Sequence, residues 1–324
     1  MFEIVFLGTS ASAPSIRRGL PAAVVLHNEQ RFMVDCGEGT QRQLLQSGLG
    51  FKRLDKILLT HGHLDHILGL AGLLSTLMRW ETLEEFTIFG GRSALERVED
   101  LIYRIVLREA KTATKLHFTE VKAGQLFEDK SCELAAFPVT HRGSGNFGYL
   151  FREKAHRPFL AEQAEALGVP FGPERKLLVG GQSIELADGR VIDPDQVLGP
   201  IVEGTTLAMV GDAARIDNLI EPVTGADALV IESTYLNVEA ELAHAYGHLT
   251  DTQSAQLACE AGVQQLILTH VSRRYPEREI LAEARAIFPQ TVVARDFDHF
   301  RIVRNKALLR VIDAPAEEED DVSA

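Results

Sequence analysis

A short stretch, LLTHGHLDHILGL, places three histidines and one aspartate within six consecutive positions. These residues are His61, His63, Asp65 and His66, and they come directly after an apolar run. Imidazole and carboxylate groups are poor fillers of a hydrophobic core, but they are good ligands for a divalent metal such as zinc. The stretch therefore predicts a metal centre, which the rest of the chain must complete.

Further polar residues stand at the ends of apolar runs elsewhere in the sequence. His141 follows CELAAFPVT, Asp212 follows TTLAMVG and His270 follows QQLILT, while His248 precedes a predicted helix in AYGHLTDTQ. Loops at strand ends can converge on one edge of a sheet, although a lone histidine after a strand is more often structural. The three residues that follow apolar runs join the first four to give seven candidate ligands: His61, His63, Asp65, His66, His141, Asp212 and His270.

Seven ligands suit two metals better than one, with the two oxygens of Asp212 divided between them. A metal pair can activate water and neutralise the oxygens of a phosphoryl group during in-line attack. The remaining histidines, apart from His248, lack this context.

The elements that must position these residues run in the order β-rich, α, β-rich and then βαβα. This order predicts an α/β fold of the αββα sandwich type, with two sheets inside and helices outside. One domain is predicted over residues 1–312, with a long helix over residues 93–110. Residues 152–198, rich in Gly, Pro and charge, are predicted to form an inserted arm without a core of its own.

Composition limits the classes of function. The net charge of −13 over 324 residues argues against a generic nucleic-acid binder. The tail 313–324 contributes six acidic residues and no base, and is predicted to be disordered. No signal peptide and no apolar run of about 18 residues is evident, so a cytoplasmic protein with no membrane partner is predicted. Cys36, Cys132 and Cys259 are far apart and are predicted to be buried thiols.

THGHLDH resembles the HxHxDH signature of the metallo-β-lactamase superfamily. Nearly the whole chain apart from the tail resembles the ribonuclease Z family, most specifically in VDCGEGTQRQLL, LGVPFGP and LTHVSRRY. The resemblance implies a metallo-β-lactamase-like αββα sandwich with a protruding Gly/Pro-rich arm. Leu64, GDAAR and RRGLPA depart from the usual pattern of the family, but none of these departures removes a ligand.

The resemblance also implies an activity, namely a zinc-dependent endoribonuclease that removes 3′ extensions from tRNA precursors and leaves a 3′-hydroxyl. Two zinc ions per subunit are implied, with manganese or another divalent metal as a substitute. One zinc would be held by His61, His63, His141 and Asp212, and the other by Asp65, His66, Asp212 and His270. Asp65 matches the proton acceptor for water, His248 matches the group that assists the leaving oxygen, and Glu232 is its partner.

Substrate contacts and assembly follow from the same resemblance. Arg274 matches a phosphate contact, and the arm is implied to grip tRNA through Lys154, Arg157, Gly172, Pro173, Arg175 and Lys176. Residues 152–176 contain five basic and four acidic residues, so an arm that is only a solvated insertion stays an alternative. A homodimer is implied. The choice between cutting after the discriminator base and after CCA is left open.

Two other classes of function compete with this one. A hydrolase of the same fold could act on a small phosphodiester or ester, with the arm used for other contacts. A protein that binds RNA without cutting it is disfavoured, because every ligand position is intact.

Overall fold

Two β-sheets carry most of the apolar residues in the computed structural model, which describes residues 1–80, 83–108 and 110–312. The strands are β1 (Phe2–Gly8), β2 (Ala22–His27), β3 (Gln30–Val34), β4 (Lys56–Leu58), β5 (Glu85–Gly90), β6 (Lys115–Glu120), β7 (Gly124–Glu128), β8 (Cys132–Pro138), β9 (Phe147–Glu153), β10 (Ile184–Glu185), β11 (Val191–Ile192), β12 (Thr206–Met209), β13 (Ala228–Glu232), β14 (Leu266–Thr269), β15 (Thr291–Val293), β16 (His299–Ile302) and β17 (Leu309–Ile312). The helices are α1 (Thr40–Gln46), α2 (Leu64–Ile67), α3 (Gly69–Arg79), α4 (Arg92–Glu99), α5 (Ala161–Ala166), α6 (Pro173–Val179), α7 (Ile220–Val223), α8 (Ala240–Tyr246), α9 (Asp251–Glu260) and α10 (Glu277–Ile287).

Each sheet combines an antiparallel part with a parallel part. The first has the order β17-β16-β1-β2-β3-β4-β5-β6, and its neighbours from β3 to β6 are parallel. The second has the order β15-β14-β13-β12-β9-β8-β7, and its neighbours from β12 to β15 are parallel. The carboxyl ends of neighbouring parallel strands lie at one edge of a sheet, and the polar residues predicted to act together follow such ends.

Three apolar layers hold this body together. Phe6 and Phe32 of the first sheet pack with Tyr149 and Met209 of the second in one buried cluster between the sheets. A second cluster covers the outer face of the first sheet with α1, α3 and α4, and a third covers the second sheet with α9 and α10. The predicted αββα sandwich is confirmed.

The helix predicted over residues 93–110 consists of two consecutive segments with different helical geometry. It begins as α4 and continues as a π-helix over Asp100–Leu107, and it ends at Arg108, whose φ is +50°. Residue 109 lies outside the described part.

Residues Glu153–Gly204 form a compact unit separate from the sandwich. This unit contains α5, α6, β10 and β11 around six buried apolar residues: Ala164, Val169, Leu178, Ile184, Ile192 and Val197. The predicted arm therefore has a core of its own, which the prediction denied, because its sparse apolar residues meet across short elements. The chain enters and leaves this unit at adjacent points, since a Cβ on Gly204 would lie 1.8 Å from the Glu153 carbonyl oxygen.

Three other predictions concern single features. Cys36 and Cys132 are buried, but the prediction for Cys259 was wrong, because α9 buries the face with Ala255 and Ala258 and exposes Cys259. The predicted disordered tail 313–324 lies outside the described residues. Within those residues, no helix has both the length and the apolar character that crossing a membrane requires.

Candidate metal centre

The seven predicted ligands come together at the strand ends of the two sheets. His61, His63, Asp65 and His66 follow β4, with His63 at the start of the short helix α2. His141, Asp212 and His270 follow β8, β12 and β14. Together with His248, their ligand atoms form three groups with separations of at most 4.8 Å: His61, His63, His141 and Asp212; Asp65, His66 and His270; and Asp212, His248 and His270.

Asp212 lies at the centre of this arrangement and is buried. Four histidine Nε2 atoms surround its carboxylate: His270 at 3.3 Å, His66 at 3.4 Å, His61 at 3.6 Å and His141 at 3.8 Å. One carboxylate thus faces ligands that belong to different groups. This position is the one a bridging ligand needs.

The Nδ1 atoms of the same four histidines are engaged by other groups. The contacts are His66 to Asp35 Oδ2 (2.7 Å), His141 to the Gly247 carbonyl oxygen (2.7 Å), His270 to Thr234 Oγ1 (2.8 Å) and His61 to Thr60 Oγ1 (3.0 Å). A carboxylate or a carbonyl oxygen only accepts, so His66 and His141 donate from Nδ1. Metal-binding histidines usually donate their other ring nitrogen in this way.

Several buried atoms of the cluster have no hydrogen-bond partner among the described residues. They are Nε2 of His61, His66 and His270, together with Oδ1 of Asp212. Buried polar atoms are nearly always paired, so several unpaired atoms that lie close together need a specific explanation. Imidazole nitrogens and carboxylate oxygens that converge without partners fit divalent metal ions, so the residues present suit the metals that the resemblance implies.

The electrostatics of the cluster favour ligand forms at His61 and at both carboxylates, whereas His66 differs: burial would lower its pKa, but the carboxylates of Asp212 and Asp35 raise it well above its ordinary value. Burial, reinforced by the neighbouring histidines, lowers the pKa of His61 well below its ordinary value, so its ring is neutral. Burial alone would raise the pKa of Asp212, but His270, His66 and His61 hold it well below the usual range. Burial likewise opposes ionisation of Asp65, yet the nearby ring of His270, 3.6 Å away, and the charge of His66 lower its pKa. Neutral imidazole and ionised carboxylate are the forms that bind metal.

His248 lies beside the cluster, and its Nδ1 contacts the carboxylate of Glu232. That nitrogen is 3.0 Å from Glu232 Oε2 and 3.7 Å from Asp212 Oδ2, and the ring stacks on His270 with centroids 5.6 Å apart. Burial would lower the pKa of His248, but the Glu232 carboxylate outweighs it and raises the pKa to about 9. In this structure His248 therefore carries a proton at neutral pH.

Two of the predicted substrate contacts, Arg274 and Arg157, already bind groups of the protein. Arg274 is half-exposed, binds Glu239 and lies over the Tyr275 ring. In the separate unit, the Arg157 guanidinium binds the carbonyl oxygens of Gly199 and Leu198 and the carboxylate of Asp195.

The other arm residues divide between structural and exposed positions. Arg175 binds the Val169 and Pro170 carbonyl oxygens and stacks on Phe171 at 3.6 Å. Gly172 has a φ of +142° and precedes Pro173, the first residue of α6. Lys176 is exposed and Lys154 is half-buried.

Comparison with known proteins decides the family. The model of a family described as anti-Pycsar protein Apyc1 matches residues 2–159. Over 92% of this chain and 99% of its own length, a protein named ribonuclease Z from Bradyrhizobium diazoefficiens is 45% identical. The chain belongs to the ribonuclease Z family. It is therefore a metal-dependent endoribonuclease.

Solved structures agree on the fold. The short form of human tRNase Z has a TM-score of 0.64 at 24% identity, covering 93% of this chain and 99% of its own. A metallo-β-lactamase fold protein from Bacillus subtilis has a TM-score of 0.66 at 17% identity, covering 92% and 98%. The metallo-β-lactamase fold predicted from HxHxDH is confirmed.

In this member of the ribonuclease Z family, the sequence predictions missed three residues that contact the candidate ligand histidines. Asp35, Thr60 and Thr234 contact the ligand histidines but were assigned no role. Two signals were present: Asp35 opens the D-C-G-E-x-T-Q stretch, and Thr60 directly precedes His61.

Proposed function

We propose that this chain removes 3′ extensions from tRNA precursors by hydrolysis of one phosphodiester, leaving a 3′-hydroxyl on the tRNA. The observation that carries the proposal is the convergence of seven candidate ligand side chains, four of which have unpartnered buried atoms, in a chain of the ribonuclease Z family. Zinc suits the imidazole-rich donor set best, with two ions per subunit. Manganese is the alternative metal.

The proposed division of ligands follows the observed groups. One metal would be held by His61, His63, His141 and Asp212, and the other by Asp65, His66, Asp212 and His270. Bound divalent metals supply Lewis acidity toward phosphodiester oxygens and make attack by water feasible near neutral pH.

The chain's own residues would handle the protons. The Asp65 carboxylate, ionised in this environment, accepts a proton from the attacking water. His248, held through Nδ1 by Glu232, has Nε2 free to donate a proton to the departing 3′-oxygen. The water oxygen then ends on the phosphate of the released trailer, and the tRNA keeps its hydroxyl.

Substrate binding is proposed for Arg274 and the arm. A phosphate would replace Glu239 as the partner of Arg274. Within the arm, Lys154 and Lys176 are the proposed phosphate contacts, and Gly172 and Pro173 shape the turn that begins α6. Arg157 and Arg175 are proposed to hold the arm in its binding form through their carbonyl contacts. Phosphate contacts of this kind make binding sensitive to salt.

The test compares two substrates. Because Glu153 and Gly204 are adjacent, residues 154–203 can be replaced by a short Gly-Ser linker without disturbing β9 and β12. This variant is expected to cleave precursor tRNA poorly and to keep its activity on a small chromogenic phosphodiester. Lys176→Ala, which removes one exposed charge, is expected to weaken tRNA binding modestly and to lower its salt dependence.

The ends of the products give the cut position. Normal tRNA cleavage without the arm would contradict the proposed role of the arm. Cleavage of the small ester without any cleavage of precursor tRNA by the intact chain would favour the small-substrate hydrolase instead.

A homodimer and a cytoplasmic location belong to the same proposal. Light scattering after gel filtration tests the first, and cell fractionation tests the second.

A further inference from the structure

Thr234 lies between a ligand histidine and a buried carboxylate. Its side chain is buried, its Oγ1 donates to Glu232 Oε2, and the same oxygen is 2.8 Å from His270 Nδ1. A hydroxyl has a single hydrogen and two lone pairs. The carboxylate is a stronger acceptor than the His270 carbonyl oxygen, which lies 3.2 Å away, so the hydrogen goes to Glu232.

The direction of that bond decides where His270 carries its proton. With its hydrogen given to Glu232, Thr234 can only accept from His270, and His270 must donate from Nδ1. A neutral ring with the proton on Nδ1 has a bare Nε2. That nitrogen is the one that faces Asp212 at 3.3 Å and Asp65 at 3.6 Å.

The other half of the cluster repeats the arrangement. Thr60 Oγ1 donates to Asp35 Oδ2 at 2.7 Å and lies 3.0 Å from His61 Nδ1. Asp35 follows β3 and His61 follows its parallel neighbour β4, just as Glu232 ends β13 and His270 follows its parallel neighbour β14. A carboxylate, a threonine and a histidine are thus connected in the same order at the edge of each sheet.

Through its hydrogen bond to Glu232, Thr234 also influences the position of His248. The Glu232 carboxylate accepts from the Ala213 amide at 2.6 Å and contacts His248 Nδ1 at 3.0 Å. The Thr234 hydroxyl restrains the carboxylate that holds His248 as well as the ring of His270.

We propose that Thr234 is a positioning residue whose hydroxyl connects Glu232 to His270, fixing the Nδ1–H tautomer of this metal ligand and the carboxylate that orients His248. The inference rests on the metal assignment of the proposed function, and it does not depend on tRNA being the substrate.

Two variants separate the hydroxyl from the shape of the side chain. Thr234→Val removes the hydroxyl at nearly constant volume, and Thr234→Ser keeps it. Thr114→Val is the matched control, because Thr114 is also buried and donates to a backbone carbonyl, that of Leu83. ¹⁵N-histidine NMR of metal-free protein reports the tautomer of His270, and competition with a chelator reports zinc affinity.

Wild-type protein is expected to show a protonated Nδ1 on His270. Thr234→Val is expected to mix the two tautomers and to weaken one zinc equivalent by about 10–100-fold, the usual effect of losing a group that orients a ligand. Thr234→Ser restores both readouts, and Thr114→Val changes neither. Wild-type zinc affinity in Thr234→Val would overturn the inference. If this variant fails to fold, a protonated Nε2 on His270 in the metal-free wild type overturns it alone.

The outcomes also separate this inference from the proposed function. If Thr234→Val loses zinc affinity and the wild-type protein cleaves no precursor tRNA, tRNA is refuted as the substrate and the role of Thr234 stands. If Thr234→Val binds zinc tightly and still cleaves precursor tRNA, the role of Thr234 is refuted and the proposed function stands.

Discussion

Asp212 and His63 should differ in the number of metals that depend on them. The Asp212 carboxylate faces histidines of more than one group, whereas His63 belongs to a single group. Asp212→Asn is therefore expected to lose both metals, and His63→Ala is expected to lose one. His63 is half-exposed, so its removal should disturb packing little.

The size of the effect follows from linkage between binding and folding. Free metal at 100 times its dissociation constant adds about 2.7 kcal/mol per site to the free energy of unfolding. Two independent sites would add about 5.4 kcal/mol in the wild type. His63→Ala should keep about half of this increment, and Asp212→Asn almost none.

Elemental analysis after zinc reconstitution gives the stoichiometry, and urea unfolding with and without zinc gives the increment. His117→Ala is the control, because this exposed histidine pairs with Glu85 away from the cluster. Two retained zinc ions in Asp212→Asn would refute the bridging position. Loss of both in His63→Ala would show that the two groups do not bind separately.

Three further predictions concern catalysis and stability. Asp65→Ala is expected to lower turnover of precursor tRNA by at least roughly 10²–10⁴-fold, because a ligand and the proton acceptor are lost together, while circular dichroism shows a folded protein; near-normal turnover would exclude this role. His248→Ala is expected to lower kcat by roughly 10²–10⁴-fold with little change in KM, since its proton is needed only in the transition state, and steady-state kinetics that show a raised KM alone would contradict this. Burial, with the carboxylate of Glu283 nearby, raises the pKa of Asp251 to about 7. The folded state therefore holds this proton more tightly than the unfolded state, so the free energy of unfolding should fall as pH rises from about 4 through about 7. Urea unfolding across that range should show this slope in the wild type and a weaker slope in Asp251→Asn; equal slopes would refute it.

The sequence predicted the convergence of the candidate ligands because a simple rule applies to them. His61, Asp212 and His270 each follow an apolar run, and such runs become strands whose ends meet at one edge. The order of the runs also predicted the layers, since alternating strands and helices can bury their apolar faces in few ways.

Residues that support the ligands could not be found in this way. Thr234 contacts His270, which is 36 positions later in the chain, and that contact exists only because β13 and β14 pair in parallel. The same limit applies to Arg157, which looked like a free basic group in the sequence but binds the Gly199 carbonyl oxygen. Such pairings depend on tertiary structure and leave no periodic pattern.

Backbone conformation at the cluster has a consequence for protein engineering. Asp35 and His270 have φ values of +57° and +54°, a region that L-residues with a side chain rarely adopt. Each such residue costs roughly 1–3 kcal/mol. Glycine at either position would relieve that cost and remove a group that holds the cluster together. A screen for thermostable variants that measures only the melting temperature of metal-free protein would not register the loss of bound metal at these two positions, so an activity filter has to accompany it.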